Sequence, residues 1–253
     1  MLRLLISGAI PGMLCADGSW CVPWSVVVFV GGGAVPMGAY EGPPGISLAE
    51  ASREGRVARG GAVLTVRADA AWVEDRLARD ELECPDCGGP LGPWGWARAR
   101  VLRGDPAPVA VRPRRSRCRW CGVSHVLLPV FALLRRADLV TVIGAALAAK
   151  AAGTGARTVA AALGRPPETV RGWVRRFAGR AEAVRVAFTV LLVGVGVDPV
   201  PPAAAVTAFA DAVAAVAGAS AAVRSRWPDV GEVPPWLLAA AVSGGRLLAP
   251  GWP

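Results

Sequence analysis

Four cysteines fall in two tight pairs, Cys84-Pro85-Asp86-Cys87-Gly88 and Cys118-Arg119-Trp120-Cys121-Gly122. Thiolates are favoured donors for structural zinc, and a two-residue spacer lets one turn aim both sulfurs at the same point. Glycine directly after each pair, Gly88 and Gly122, permits the positive φ that such a turn needs. The spacing predicts zinc held by Cys84, Cys87, Cys118 and Cys121. Its role would be structural, because four protein thiolates leave no position open for a water. The competing chemistry is a thioredoxin-like redox centre, which would use one pair in a strand–helix–strand setting rather than two. A chance meeting of buried structural cysteines is the bland alternative. His125, the sole histidine, follows Cys121 by four residues. It is a substitute ligand, a phosphate contact, or the start of the apolar segment Leu127, Leu128 and Phe131. The last is favoured, since four thiolates already satisfy zinc.

The elements that must carry these residues are short. Val63 to Val66 reads as a strand, and Asp69 to Leu82 as a helix with Asp69 at the N-cap and Trp72, Val73, Arg76 and Leu77 on one face. Between the cysteine pairs, strands are expected over Trp96–Leu102 and Val109–Arg112, with Gly104-Asp105-Pro106 as the turn. Strands this short bury little apolar area, so the segment needs its metal.

Charge is concentrated around the same region. The chain carries 28 Lys+Arg against 19 Asp+Glu, a net +9. From Gly88 to Arg185 there are 18 basic and 4 acidic residues, or +14, which leaves −5 for the remainder. A basic middle between mildly acidic flanks suits a polyanionic partner. Arg112, Arg114, Arg115, Arg117 and Arg119 are interleaved with Pro113 and Trp120. Alternate side chains of an extended segment share a face, so these arginines, with Arg114, Arg115 and Arg117 foremost, are expected to track a phosphate strand. A solvated arm is the alternative.

A helical set follows. Asp138 is placed to cap a helix carrying Leu139, Val142, Ile143, Ala146 and Leu147 and ending near Gly153. Arg157 to Leu163 forms a second helix stopped by Gly164. A third starts at Pro167, whose missing N–H needs no partner in a first turn, and ends near Gly179. Ala160, Gly164, Val170 and Trp173 have the small–glycine–apolar–apolar spacing of a helix-turn-helix. The outer face of its recognition helix would hold Glu168, Thr169, Arg171, Gly172, Arg175 and Arg176. Arg171 suits a bidentate guanine contact and Thr169 a thymine methyl or a phosphate. Arg175, Arg176 and Arg180 suit backbone phosphate. A solvated face on an ordinary three-helix bundle is the alternative. The chain contains no Asn or Gln, so their amide readout of adenine lies outside its repertoire.

Beyond Arg180, helices are expected over Ala181–Leu192 and Ala203–Trp227, with a last short one opened by Pro234-Pro235-Trp236. The expected fold class is mainly α with a small β zinc ribbon: a three-helix helix-turn-helix domain plus Ala-rich C-terminal helices, after a disordered N-terminus. The boundaries are a poorly ordered extension at 1–62, strand, helix and four-cysteine zinc ribbon at 63–130, helix-turn-helix at 131–182, and an Ala/Pro-rich helical region at 183–253. Cys15 and Cys21 receive no role. No apolar run is long enough to span a bilayer. The faint signal-like start lacks a charged beginning and a small-residue cleavage site. A cytoplasmic, nucleoid-associated location is therefore expected.

Cys84-Pro-Asp-Cys87-Gly-Gly with Pro93-Trp94-Gly95, then Arg114-Arg115-Ser-Arg117-Cys118-Arg-Trp-Cys121-Gly, resembles the zinc-ribbon head of insertion-sequence transposases. With His125-Val-Leu-Leu-Pro129 and Thr169-Val-Arg-Gly-Trp-Val-Arg-Arg-Phe177 added, the arrangement is similar to an actinobacterial family known only by a domain of unknown function or as helix-turn-helix proteins. The resemblance covers roughly Val63 to Leu248. It implies double-stranded DNA as partner and the four cysteines as zinc ligands. It departs from transposases after Arg185, where only Asp198, Asp211, Asp229 and Glu232 remain to supply the carboxylates of a two-metal site, in helical sequence without a run of strands. One histidine and no Walker loop leave no other catalytic set. A sequence-specific, non-enzymatic DNA-binding protein is expected, regulatory or transposase-derived, with no small-molecule substrate. The alternative is an accessory or remnant of a transposition enzyme. A second copy or a transposition partner are the protein contacts these expectations admit.

Overall fold

Asp69 caps the first helix as its position suggests: its carboxylate accepts from the backbone N–H groups of Ala71 at 2.9 Å and Trp72 at 3.2 Å. The computed structural model describes residues 62–252. The expectations for the N-terminal extension, Cys15 and Cys21 lie outside the described residues. β1 (Ala62–Val66) precedes the capped helix α1 (Ala70–Ala78), which ends before Leu82 because Asp80 takes a positive φ of 55°. Leu82 is buried all the same.

Five strands follow: β2 (Leu91–Trp96), β3 (Arg100–Leu102), β4 (Val109–Val111), β5 (Arg114–Cys118) and β6 (Ser124–Pro129). They divide into a four-stranded sheet of order β1-β6-β5-β2 and a separate β3-β4 hairpin. β5 runs antiparallel to both β2 and β6. The expected strand over Trp96–Leu102 is thus two strands in two sheets, with Trp96 closing β2 and Arg100 opening β3. The sheet and α1 enclose a small core of Val66, Val73, Leu77, Leu82, Leu91 and Leu127, completed by the sulfurs of Cys84 and Cys118.

The remainder is helical: α2 (Val140–Ala151), α3 (Ala156–Ala162), α4 (Pro167–Ala178), α5 (Ala181–Val195), α6 (Ala208–Arg226) and α7 (Pro235–Val242). Asp138 does not cap α2. The N-cap residue is Leu139, with no side-chain cap, because the Asp138 carboxylate is buried and bonded to Arg103 and Arg165. α6 starts at Ala208 rather than Ala203, where Thr207 Oγ1 accepts from Ala210 N–H at 3.1 Å. It packs along α5 and also touches α2 and α4, while α7 packs on α2 and α6. The helices after residue 182 therefore share a core with those before it. Phe177 of α4 meets Phe209 and Trp236 edge-on, with centroids 5.0 and 6.4 Å away. Trp236 lies so close over Gly144 that a Cβ there would fall 2.0 Å from its ring. Among the described residues, α6 alone is long and apolar enough to cross a membrane; its Ala212, Ala215, Val216, Ala219 and Val223 are buried in this bundle. The architecture is mainly α with a small β part.

Candidate metal centre and basic surfaces

Both cysteine pairs fold into the same turn. Cys84 N–H donates to the Gly89 carbonyl and Gly88 N–H to the Cys84 carbonyl, each at 2.8 Å. Cys118 N–H repeats the first bond to Val123 at 2.9 Å, and Gly122 N–H repeats the second to Cys118 at 3.1 Å. Gly88 and Gly122 sit at φ of 71° and 72°. Nothing lies within 4 Å of a Cβ built on Gly88, so conformation rather than space demands glycine there.

The two turns face each other. Cys84 Sγ lies 3.7 Å from Cys121 Sγ, and Cys87 Sγ lies 3.4 Å from Cys118 Sγ. All four sulfurs fall within 4.8 Å of one another. Four thiolates around zinc at about 2.3 Å would stand roughly 3.8 Å apart, so the cluster has the size a metal such as zinc requires. All four cysteines are free of disulfides. The first cysteine of each turn, Cys84 and Cys118, is buried against the small core, and the second, Cys87 and Cys121, is exposed. Burial pushes the Cys84 and Cys121 thiols up. Burial also opposes ionisation of Cys118, but the N–H groups of Cys121 and Trp120, each 3.4 Å from its sulfur, help bring it down to about 7. Cys118 is thus readier to ionise for a metal than Cys84 or Cys121.

His125 is more than the start of an apolar segment. It sits on β6 opposite Ser116 and is fully buried, which excludes a phosphate contact. Its Nε2 lies 3.3 Å from Cys84 Sγ, and Nδ1 has no hydrogen-bond partner. Burial lowers its pKa, although Asp86 nearby acts in the opposite direction, so the ring is neutral. A metal-bound Cys84 thiolate would only accept, and an Nε2–H on His125 would then steady its charge. Cys84, Asp86 and His125 also form a metal-competent trio, but the soft four-sulfur set suits zinc better. His125→Phe keeps the ring and removes the N–H. It is expected to lower zinc affinity about 10- to 100-fold at unchanged stoichiometry. Competition with a chromophoric chelator measures this, and wild-type affinity would refute the role.

α3 and α4 are joined by Leu163, Gly164, Arg165 and Pro166, with Gly164 at a φ of 60°. Ala160, Val170 and Trp173 are buried where the two helices meet. On the other side of α4, Arg175 is exposed with no carboxylate partner among the described residues. Thr169 is half-buried, and Arg171 pairs with Glu168 one turn earlier. Two expected contacts need correction. Gly172 is buried, because the Arg176 guanidinium folds back onto its carbonyl at 2.9 Å and covers it. Arg180 turns inward, donating to the carbonyls of Ala249 and, at 2.6 Å, Trp252, which ties the C-terminal segment to α4.

The arginines of β5 do not share one face. Arg114 is half-buried, bonded to the Gly95 carbonyl at 2.6 Å and paired with Glu74 at 2.7 Å. Arg115 is also half-buried. Arg117 is exposed, and its Nε donates to the Gly122 carbonyl at 3.0 Å. What unites Arg114 and Arg117 is aromatic. Arg117 lies over Trp94 and Arg114 over Trp96, both 4.7 Å from the ring centroid, and Arg112 approaches Trp96 at 5.9 Å. Trp94 and Trp96 are exposed surface residues of the edge strand β2, which Pro93-Trp94-Gly95-Trp96 alone does not reveal.

The chain matches no protein-family model, no curated protein and no solved structure.

Proposed function

We propose that this protein is a sequence-specific DNA-binding protein in which α3 and α4 act as a helix-turn-helix and the sheet with its cysteine turns acts as a zinc ribbon. The observation that carries this is α4 itself. Its inner side is locked by Val170, Trp173 and Phe177, leaving Arg171 and Arg175 on the side away from that core and Thr169 half-buried at its flank. The four-residue turn before it has the length of the turn in such motifs. Two similar helices on a plain bundle would serve packing equally well. The basic excess between Gly88 and Arg185 favours the polyanion.

Within this proposal Thr169 and Arg171 read bases, while Arg175, and Arg176 when it lets go of Gly172, hold phosphate. Glu168 neutralises Arg171 in the free protein and would have to yield it to a guanine. Arg171→Ala is expected to reduce discrimination between target and random duplex, by about 1–3 kcal/mol at the base it reads. Arg175→Ala is expected to weaken all duplexes alike and to reduce the slope of log K against log salt by about one. Selection of bound sequences followed by salt titration on the selected and a random duplex separates the two effects. Identical behaviour of both variants would refute the division, and the absence of salt-sensitive duplex binding at low ionic strength would refute the function.

A further inference from the structure

We propose that Arg117 and Arg119, on the face of the sheet turned away from α1, form a site for one backbone phosphate of the duplex, separate from the contacts of α4. This rests on the nucleic-acid function proposed above and gives it a second point of attachment.

The register of β2 and β5 decides which side chains share that face. Leu91 and Cys118 are partners, and both are buried in the core with Val73 and Leu77 of α1. Gly92 and Arg117 are the next partners along, so they point the opposite way. Arg117, Arg119 and Trp94 are exposed. Gly92 is buried nonetheless, because the Arg119 side chain lies over it: a Cβ built on Gly92 would fall 3.4 Å from Arg119 Nε and 3.7 Å from its Cζ. Arg117 is held on two sides. Its Nε donates to the Gly122 carbonyl at 3.0 Å, and its guanidinium lies 4.7 Å from the centroid of Trp94. Its terminal nitrogens take no hydrogen bond among the described residues. Gly92, Trp94, Arg117 and Arg119 line one shallow groove of about 300 Å³.

The chemistry of the occupant follows from these groups. A guanidinium already fixed by a ring and a backbone carbonyl loses little freedom on binding, and its remaining N–H groups suit the paired oxygens of an oxyanion. Arg117 faces no carboxylate among the described residues, while Arg119 pairs with Asp80 at 2.8 Å. That pair is about half exposed on both sides, so water screens it and Asp80 holds Arg119 only weakly. The groove therefore keeps unspent positive charge. It is too shallow to enclose a small free anion, whereas a duplex backbone passes over such a surface and needs to set only one phosphate between the two arginines.

The test uses the full chain loaded with zinc and a random-sequence duplex of roughly 20 base pairs at about 0.1 M salt, read by anisotropy and by heteronuclear NMR. Arg117→Ala and Arg119→Ala are each expected to weaken binding about five- to tenfold and to lower the slope of log K against log salt by about one. The double variant is expected to lose little more, because both side chains hold the same phosphate. Full additivity would put them on separate phosphates and overturn the shared site. Gly92→Val suits the backbone, since Gly92 takes no positive φ, and it removes no charge but displaces Arg119. It is expected to reproduce the Arg119→Ala loss. Arg226→Ala removes an exposed charge at the end of α6 and is expected to change affinity by less than about twofold. Unchanged affinity in Gly92→Val, or equal losses in Arg226→Ala and Arg117→Ala, would overturn the site, since diffuse charge would then account for binding. In the wild type, duplex is expected to shift the Gly92 amide and Trp94 indole signals. Shifts produced by inorganic phosphate but not by duplex would assign the groove to a free anion and overturn the backbone contact. Equal displacement of the duplex by polyglutamate would overturn it in favour of an acidic peptide. Duplex shifts confined to α4 would remove this site and leave the helix-turn-helix, and shifts confined to the groove would do the reverse. Zinc content and the amide spectrum check the fold of each variant.

Discussion

Cys87→Ser is expected to reduce bound zinc from one equivalent to a small fraction and to loosen the sheet while leaving the helices folded. Cys87 is the informative ligand because it is exposed, so exchanging its sulfur for oxygen removes almost no packing. Any loss of structure must then come through the metal. The sheet has little else to hold it: its core is six apolar side chains and two cysteine sulfurs, and the latter belong to the four-sulfur cluster. Small sites of this kind fold with their metal, and zinc contributes roughly 10–16 kcal/mol in comparable peptides. The helices by contrast share an extended core from Ile143 and Leu147 through Phe177 and Phe188 to Val216 and Leu238. Atomic emission measures the zinc, and hydrogen exchange resolves the two regions. Loss of protection is expected in β2, β5 and β6 and retention in α2, α4 and α6. One tightly held equivalent of zinc in Cys87→Ser would refute the ligand assignment. Uniform loss of protection would show that the two layers fold as one unit.

The cysteine cluster was legible in the sequence because its information is local. Cys-x-x-Cys-Gly fixes a turn by itself, and both turns form with matching hydrogen bonds. The helices α2, α3 and α4 were legible within a few residues for a similar reason, since Gly153, Gly164, Pro167 and Gly179 mark their ends and apolar periodicity marks their faces. What failed was non-local. β5 is Arg-Arg-Ser-Arg-Cys, which has no alternating apolar pattern, and it becomes a strand because β2 and β6 flank it on both sides. His125 gave no local sign of facing Cys84, because that approach depends on a strand register rather than a spacing. Gly172 fell on the expected outer side of its helix and Arg180 was expected to meet phosphate, yet one is roofed by Arg176 and the other is drawn in by a carbonyl 72 residues away. Long arginine side chains reach partners that helical periodicity does not encode.

Asp138→Ala is expected to cost about 3–5 kcal/mol. Sequence position suggests a helix cap worth about 1 kcal/mol. The structure gives the residue heavier duty. Its carboxylate is 2 % exposed and binds Arg103 through Oδ2 and Arg165 through Oδ1, both at 2.6 Å. Arg165 in turn donates to the carbonyls of Leu163 and Gly104, each at 3.0 Å. One side chain thus joins the β3-β4 hairpin, the start of α2 and the turn between α3 and α4. Truncating it strands the Arg165 guanidinium, whose side chain is only 11 % exposed, without a counter-charge. Asp138→Asn keeps the shape and should lose most of the same stability, because the charge rather than the volume is missing. Denaturant midpoints at constant slope measure both, and a loss below about 1 kcal/mol would refute the joint. Arg165→Ala adds the decisive comparison. A buried ion pair gains little over an apolar replacement, since desolvation offsets most of its attraction, whereas half a pair is costly. The double variant should therefore be far less destabilised than the sum of the singles. Simple additivity would mean that Asp138 and Arg165 act separately, and that the turn before α4 is held by its backbone alone.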